Sequence, residues 1–197
     1  MAEFERVGVA EARIEDIVGA AGVSWGSFFH HFPRKEDVLL AAAVGLTRAF
    51  TARIEEGIRQ AEPVRRTAAA AFRAMRAAAA GYSDELRAAM VAEAVGQPDR
   101  LRTLLGDDEP AIVDALARLL ATGQDRGEIR TDLPARSMAV VVVTAVLSSG
   151  RQSVAHRVRS RAVTPPLGTV AFRVVFAGLL PPGPAAAVDP EDGGRSG

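Results

Sequence analysis

The chain has 197 residues and 48% of them are hydrophobic, which is enough to bury a sizeable core without covalent cross-links. The absence of cysteine excludes disulfide frameworks and thiolate metal sites, and we expect a reducing, cytoplasmic location. The 24 basic and 24 acidic residues balance, so the net charge gives no argument for binding nucleic acid.

The first short segments predict two helices joined by a tight turn. Apolar residues recur at helical steps over 14–21, and that helix is expected to stop at Gly22, which can adopt the positive φ of a turn. Ser24 is a candidate N-cap for a second short helix, because its hydroxyl can accept a backbone N–H. Phe28 and Phe32 lie four residues apart on the inward face of that helix.

A long helix is predicted next. Pro33 ends the second short helix, and residues 35–60 keep a helical spacing of apolar side chains. Their buried stripe is predicted to be Val38, Leu39, Ala42, Leu46, Ala49, Phe50, Ile54 and Ile58. Pro63 then breaks the pattern, so we expect a hinge there between a first domain, 1–60, and a second domain, 61–180.

The second domain is predicted to be helical throughout. Helices are expected over 64–80, 84–95, 99–105, 110–122, 134–159 and 168–180. Ser83 is a candidate cap for the second of these helices, and residues 123–133 are predicted to form a polar connection. The β-branched run 140–144 has strand propensity but no segment to pair with, so it is assigned to a helix. The Pro- and Gly-rich residues 181–197 are expected to be disordered.

Residues 14–39, IEDIVGAAGVSWGSFFHHFPRKEDVL, resemble the DNA-binding domain of the TetR family of transcription regulators almost position by position. The resemblance covers residues 1–60, and beyond them it extends to the helix layout and to GEIRTDL at 127–133. It implies an all-α, TetR-like fold, with an N-terminal helix-turn-helix domain and a C-terminal helical domain for ligand binding and dimerisation. In a helix-turn-helix, the second helix enters the DNA major groove and contacts base edges.

The resemblance places the DNA-contacting surface on the second short helix and just after it. The residues it implies are Ser24, Trp25, Gly26, Ser27, Phe29, His30, His31 and Lys35. Trp25 is expected to face outward, toward a thymine methyl or a sugar, and His31 and Lys35 match family positions that contact phosphates. Phe29 and Ala12 stand where the family usually has Tyr and Thr, so two hydroxyls that commonly bind phosphate are missing.

The start of the chain departs from the family pattern. The first helix of the family begins well before the position of Phe4, so we expect most of that helix to be missing from this sequence. Residues 1–60 hold seven basic against nine acidic residues, in agreement with the loss of a basic first helix. Either the start of the chain lies further upstream, or this form binds DNA poorly.

The resemblance also implies an effector site between the helices of the second domain. Large apolar residues that could line it are Phe72, Met75, Tyr82, Met90 and Met138, although each of them, taken alone, is more often a core residue. The family forms dimers through its last two helices, here 134–159 and 168–180. A four-helix bundle centred on 140–147 is therefore expected.

The sequence carries no constellation typical of catalysis, metal binding or membrane insertion. It lacks a nucleophile with a nearby base, paired carboxylates in an apolar setting and a glycine-rich phosphate loop. His30 and His31 are adjacent on a helix and point in different directions, with no carboxylate at ligand spacing. The apolar run 138–147 is about half of the ~20 residues of a membrane span, and residues 1–6 are too polar for a signal peptide. We predict a soluble protein that is not an enzyme and has no cofactor or metal.

Two functions remain as hypotheses. The first is a repressor that binds a pseudo-palindromic operator in double-stranded DNA as a homodimer and is released by a small apolar effector. The second is a helical small-molecule-binding protein that has lost DNA binding, and its motivation is the short first helix. The sequence does not indicate the effector, the operator or the target genes.

Overall fold

The structure is a computed structural model and describes residues 1–106, 111–157 and 167–181. Within these ranges the chain forms ten α-helices and no strand. The helices are α1 (Ala2–Glu11), α2 (Ile14–Ala21), α3 (Trp25–His31), α4 (Asp37–Arg59), α5 (Val64–Ala78), α6 (Asp84–Gly96), α7 (Pro98–Leu105), α8 (Ile112–Asp125), α9 (Ala135–Arg157) and α10 (Leu167–Ala177). None of them is long and apolar enough to span a membrane. The expected disordered tail falls outside the described residues from 182 onward.

The turn between α2 and α3 is built by the two residues that the sequence predicted for it. Gly22 ends α2 with a φ of 64°, a left-handed conformation that glycine adopts without strain. Ser24 caps α3, because its Oγ accepts a hydrogen bond from the backbone N–H of Ser27 at 3.1 Å. Both predictions are confirmed, and together these caps define where α3 begins.

α1 is short and is interrupted at Gly8, whose φ of 83° lies outside the helical region. Lys35 closes the last turn of α1: its Nζ donates hydrogen bonds to the carbonyl oxygens of Ala10 and Ala12, at 2.9 and 3.0 Å. Glu5 accepts a hydrogen bond from the backbone N–H of Ser83 at 2.8 Å. α1 is therefore tied both to the residues before α4 and to the start of α6.

α4 runs through the centre of the fold and packs against α5, α6, α7 and α8. The predicted stripe is incomplete for this reason. Leu39, Phe50 and Ile54 are buried as predicted, whereas the other five residues of the predicted stripe are half-buried, and burial extends to other faces of the helix. The additional buried residues are Asp37, Leu40, Ala43, Val44, Thr47, Thr51 and Gly57. A pattern that assumes one buried face underestimates burial when a helix has neighbours on several sides.

The predicted helices of the second domain all have counterparts within the described ranges, and the main correction concerns the predicted polar connection. α8 continues to Asp125, so Gly123 lies inside the helix and is buried. Ile129, from the same predicted connection, is buried in the core. The run 140–144 is helical, as predicted, and belongs to α9. Ser83 caps α6 by accepting a hydrogen bond from the backbone N–H of Leu86 at 3.2 Å.

The buried apolar side chains form two clusters. The larger one lies in the second domain and includes Phe50 and Ile54 from the last part of α4. The smaller one, which we call the first-domain core, consists of Phe4, Ala12, Ile17, Val18, Phe28, Leu39, Leu86 and Met90. Leu86 and Met90 belong to α6, a helix that follows Pro63 in the sequence. This core is therefore completed by side chains from beyond the predicted domain boundary, and that boundary stays a prediction.

Gly57 in α4 is expected to be intolerant of any side chain. A Cβ atom there would lie 2.2 Å from Cγ2 and 2.5 Å from Oγ1 of Thr67, which is itself buried. We expect Gly57→Ala to lower the free energy of unfolding by about 1–3 kcal/mol, because the core is overpacked. Gly45→Ala is the matched control, since Gly45 lies in the same helix with open space around it. That variant should gain up to about 1 kcal/mol from helix propensity. Denaturant unfolding followed by circular dichroism measures the unfolding free energy of both variants. Equal changes in Gly57→Ala and Gly45→Ala would contradict the close approach of α4 and α5.

Candidate DNA interface

α3 is fixed by its inward face. Phe28 is buried in the first-domain core, and Phe32 packs beside it half-buried, with ring centroids 5.6 Å apart. Because side chains four residues apart share one face of a helix, these two rings hold the opposite side of α3 toward solvent. The predicted inward face is confirmed.

The outward face carries all the predicted DNA-contacting residues that belong to α3 or its cap. Ser24, Trp25, Gly26, Ser27, Phe29, His30 and His31 are exposed. The Trp25 and Phe29 rings stack with centroids 5.7 Å apart and an interplanar angle of 24°. They remain 47% and 41% exposed. A stacked apolar pair at this position can contact a thymine methyl or a sugar, and the open space around Gly26 permits close approach.

The basic side chains near α3 already have partners within the protein. Arg13 lies 3.8 Å from the carboxylate of Glu15. Lys35, the last of the predicted DNA contacts, uses two of its three N–H donors on carbonyl oxygens of the α1 end. Its third N–H donor is not used in either of these contacts. A contact between Lys35 and the DNA phosphate backbone could therefore form without breaking the two hydrogen bonds to α1.

A buried carboxylate lies at the corner between α3 and α4. Asp37 is 1% exposed and accepts hydrogen bonds from the backbone N–H of Arg34, at 2.8 Å, and from the guanidinium of Arg100 in α7. Burial by itself raises the pKa of Asp37, but the hydrogen bonds from Arg100 and Arg34 outweigh it and hold the pKa below its ordinary value. Sequence reasoning missed this pair, since 63 positions separate the two residues and no local pattern joins them.

The predicted effector residues fall in two separate places. Phe72, Met75 and Met138 pack in or against the larger cluster, whereas Tyr82 and Met90 pack in or against the first-domain core. The structure therefore does not bring the five together. Two clefts, of about 280 and 260 Å³, border on α3, and neither is lined by any of these five residues.

An aromatic row in the second domain was not predicted. The rings of Phe50, Phe72, Phe172 and Phe176 follow one another with centroids 4.8 to 5.1 Å apart. Phe172 and Phe176 lie four residues apart in α10, which was the available sequence signal. The row joins α4, α5 and α10, so it places Phe72 among aromatic neighbours.

Exposed valines lie on α9 and on α10, two helices that pack against each other. Val142 is buried, whereas Val140 and Val141 are exposed on the other side of α9. On α10, Val170 and Val174 are exposed and lie four residues apart, and Val174 is 67% exposed. We call Val140, Val141, Val170 and Val174 the valine face.

Comparisons with known proteins identify the fold. Residues 1–42 match the family described as bacterial regulatory proteins, tetR family. The chain also matches the crystal structure of FadR from Thermus thermophilus, a TetR family transcriptional repressor in complex with lauroyl-CoA. That match covers 95% of each chain, with a TM-score of 0.69 and 22% sequence identity. Residues 1–42 are therefore similar to the N-terminal domain of the TetR family, and the chain has the TetR fold. No curated protein matches the sequence at a significant level.

The TetR match confirms the predicted resemblance and the all-α, TetR-like fold class. The matched range contains α1, α2, α3 and the start of α4, so it includes every residue predicted to contact DNA. The separate DNA contact of each residue stays a prediction. The match to FadR, at 22% sequence identity, supports the fold of the rest of the chain and does not extend to its function.

The ionised form of Asp37 should contribute to stability in a pH-dependent way. Its folded pKa is lowered, so its contribution is complete above the unfolded value of about 3.9 and is lost as the pH falls through the folded value. We expect Asp37→Asn to lower the free energy of unfolding by up to about 3–5 kcal/mol at pH 7, because the buried pair with Arg100 is broken.

The difference in unfolding free energy between the wild type and Asp37→Asn should shrink as the pH falls below about 4. Asp125→Asn, at an exposed position, serves as the control and should track the wild type. Urea unfolding at a series of pH values provides the measurement. A difference that stays constant down to low pH would contradict the lowered pKa of Asp37.

Proposed function

We propose that this chain is a transcriptional repressor that binds a pseudo-palindromic operator as a homodimer and is released by a small apolar effector. The observation that carries the proposal is the outward face of α3. α3 is capped by Ser24 and anchored by the buried Phe28, its outward face is exposed, and the helix lies within the residues that match the TetR family.

α3 is proposed as the helix that enters the DNA major groove. The groove of B-DNA is ~12 Å wide and admits one helix. The two serines and two histidines of the outward face offer hydrogen-bonding groups, and Trp25 and Phe29 offer apolar contacts. Lys35 provides its free N–H donor to a phosphate.

The valine face is the proposed centre of the dimer interface. Exposed apolar side chains on helices that pack together are candidates for a protein interface. A two-fold axis through this face would bury the four valines in a four-helix bundle of α9 and α10 from each chain. The same axis would present two copies of α3 to successive major grooves, ~34 Å apart, so the operator must be pseudo-palindromic.

The proposed effector carries an acyl chain and binds in the second domain. FadR, whose fold this chain shares, was crystallised with lauroyl-CoA, which is therefore the first compound to test. Phe72, Met75 and Met138 are the proposed contacts from the larger cluster. Met90 of α6 and Tyr82, just before that helix, lie in or against the first-domain core, where a change would reach α3. The effector weakens DNA binding only if it prefers the conformation that does not bind the operator.

DNA binding can be tested while the operator sequence is still unidentified. The purified full-length chain selects sequences from a pool of random duplex DNA, and the enriched duplex is then used in fluorescence polarisation. We expect an inverted repeat to be enriched. Lauroyl-CoA should weaken binding to that duplex, whereas coenzyme A alone should not. Failure to enrich any sequence, together with binding of lauroyl-CoA, would support a ligand-binding protein that does not bind DNA.

Variants connect this result to α3. Trp25→Ala should weaken binding to the enriched duplex about 5- to 50-fold, because an apolar contact with the DNA is lost. Leu133→Ala is the matched control, since Leu133 is an apolar side chain of similar exposure, 44%, in the connection before α9. It should bind like the wild type.

The valine face predicts a second outcome. Val174→Glu should convert the dimer to a monomer, because a carboxylate would be buried without a partner in the proposed interface. Val95→Glu is the control, since Val95 is 50% exposed on α6 and lies outside the valine face. Light scattering after size-exclusion chromatography measures the mass of each variant. A Val174→Glu protein that keeps the mass of a dimer would place the interface elsewhere.

A further inference from the structure

Two arginines that are distant in the sequence, Arg34 and Arg100, lie beside the buried carboxylate of Asp37. Arg100 of α7 donates from Nε to Oδ1 and from Nη2 to Oδ2, a two-point contact with fixed geometry. Arg34, in the turn that follows α3, donates its backbone N–H to Oδ2 at 2.8 Å. Its side-chain Nε lies 3.8 Å from Oδ1, just beyond hydrogen-bond reach.

The Nε atom of Arg34 is poised for a second arrangement. It is buried, and among the described residues it has no hydrogen-bond partner, although the carboxylate of Glu36 lies 4.0 Å away. The Nη2 atom of the same side chain donates to Glu93 of α6 at 3.3 Å. If α7 withdrew Arg100, Nε of Arg34 could bond Oδ1 of Asp37 after a movement of about one ångström, because hydrogen bonds of this type span about 2.9 Å.

Asp37 can pair either with Arg100 or with Arg34. The buried carboxylate keeps a cationic partner in both arrangements, which is the condition for two states of similar free energy. A buried carboxylate without a partner is strongly unfavourable, so α7 cannot leave Asp37 unless another cation replaces Arg100. Arg34, the cation that would replace Arg100, lies in the turn between α3 and α4. An exchange of partners therefore acts on the turn that follows α3, where Phe32 lies two residues before Arg34.

We infer that Arg100 is a positioning residue for DNA binding: it holds Asp37 in the operator-binding arrangement, and the effector acts by displacing α7 so that Arg34 takes the carboxylate over. This inference rests on the proposed function for its effector and its operator. The exchange itself concerns only Arg34, Asp37 and Arg100, so it can be tested separately.

The single tryptophan of the chain makes the exchange measurable without DNA. Trp25 opens α3 and is 47% exposed, so its emission reports on the position of that helix. We expect Arg100→Gln to shift the emission of Trp25 in the free protein. Arg118→Gln is the matched control, because Arg118 also links a second-domain helix to α4, through Glu55, but has no contact with Asp37. Identical emission spectra for the wild type and both variants would overturn the inference, whether or not the chain binds DNA.

The regulatory consequence is tested with lauroyl-CoA and the enriched duplex. Arg100→Gln should bind the duplex about 5- to 100-fold more weakly than the wild type and lose its response to lauroyl-CoA, while still binding lauroyl-CoA in calorimetry. Arg34→Gln keeps the Arg100 contact but cannot complete the exchange, so it should bind the duplex and respond less to lauroyl-CoA. This second variant keeps the inference testable if Arg100→Gln does not fold.

The outcomes separate the two proposals. A wild type that binds neither DNA nor lauroyl-CoA contradicts the proposed function, and the emission of Trp25 then decides the exchange. A wild type that binds and responds, with Arg100→Gln and Arg34→Gln responding equally well, overturns the exchange and leaves the proposed function intact.

Discussion

The position of α3 depends on a core that the first domain does not complete by itself. Phe28 anchors α3, and the residues that close the cluster around it include Leu86 and Met90 from α6. Because interiors are close-packed, a displacement of α6 is transmitted to α3 through this shared core.

The charged groups at the corner of α3 and α4 form contacts with a defined geometry, in addition to the apolar core. Arg100 grips Asp37 at two points, and the geometry of a guanidinium and a carboxylate tolerates little displacement. The apolar contacts thus keep the domains associated in either arrangement, whereas the choice of arginine distinguishes one arrangement from the other. This division matches what a ligand-controlled helix requires, namely two discrete positions separated by a small free-energy difference.

Local chemistry was readable from the sequence, and contacts between distant segments were not. Gly22 and Ser24 act within a few residues of themselves, so the turn and the cap of α3 followed from backbone rules. The burial of α4 on several sides depends on four other helices and was underestimated. For the same reason the pairing of Asp37 with Arg100 went unnoticed, and the resemblance to the TetR family gave no indication of it.

The proposed dimer makes a small movement of α3 consequential. If the valine face is held on a two-fold axis, the two copies of α3 have a fixed separation, and DNA offers successive major grooves only at intervals of ~34 Å. Any displacement of α3 at one corner is repeated by the two-fold axis at the other, so the change in their separation is up to twice as large. Neither copy of α3 has to unfold or lose its outward face. Operator binding would then be controlled by the distance between two intact helices. That distance would in turn depend on whether Arg34 or Arg100 pairs with Asp37.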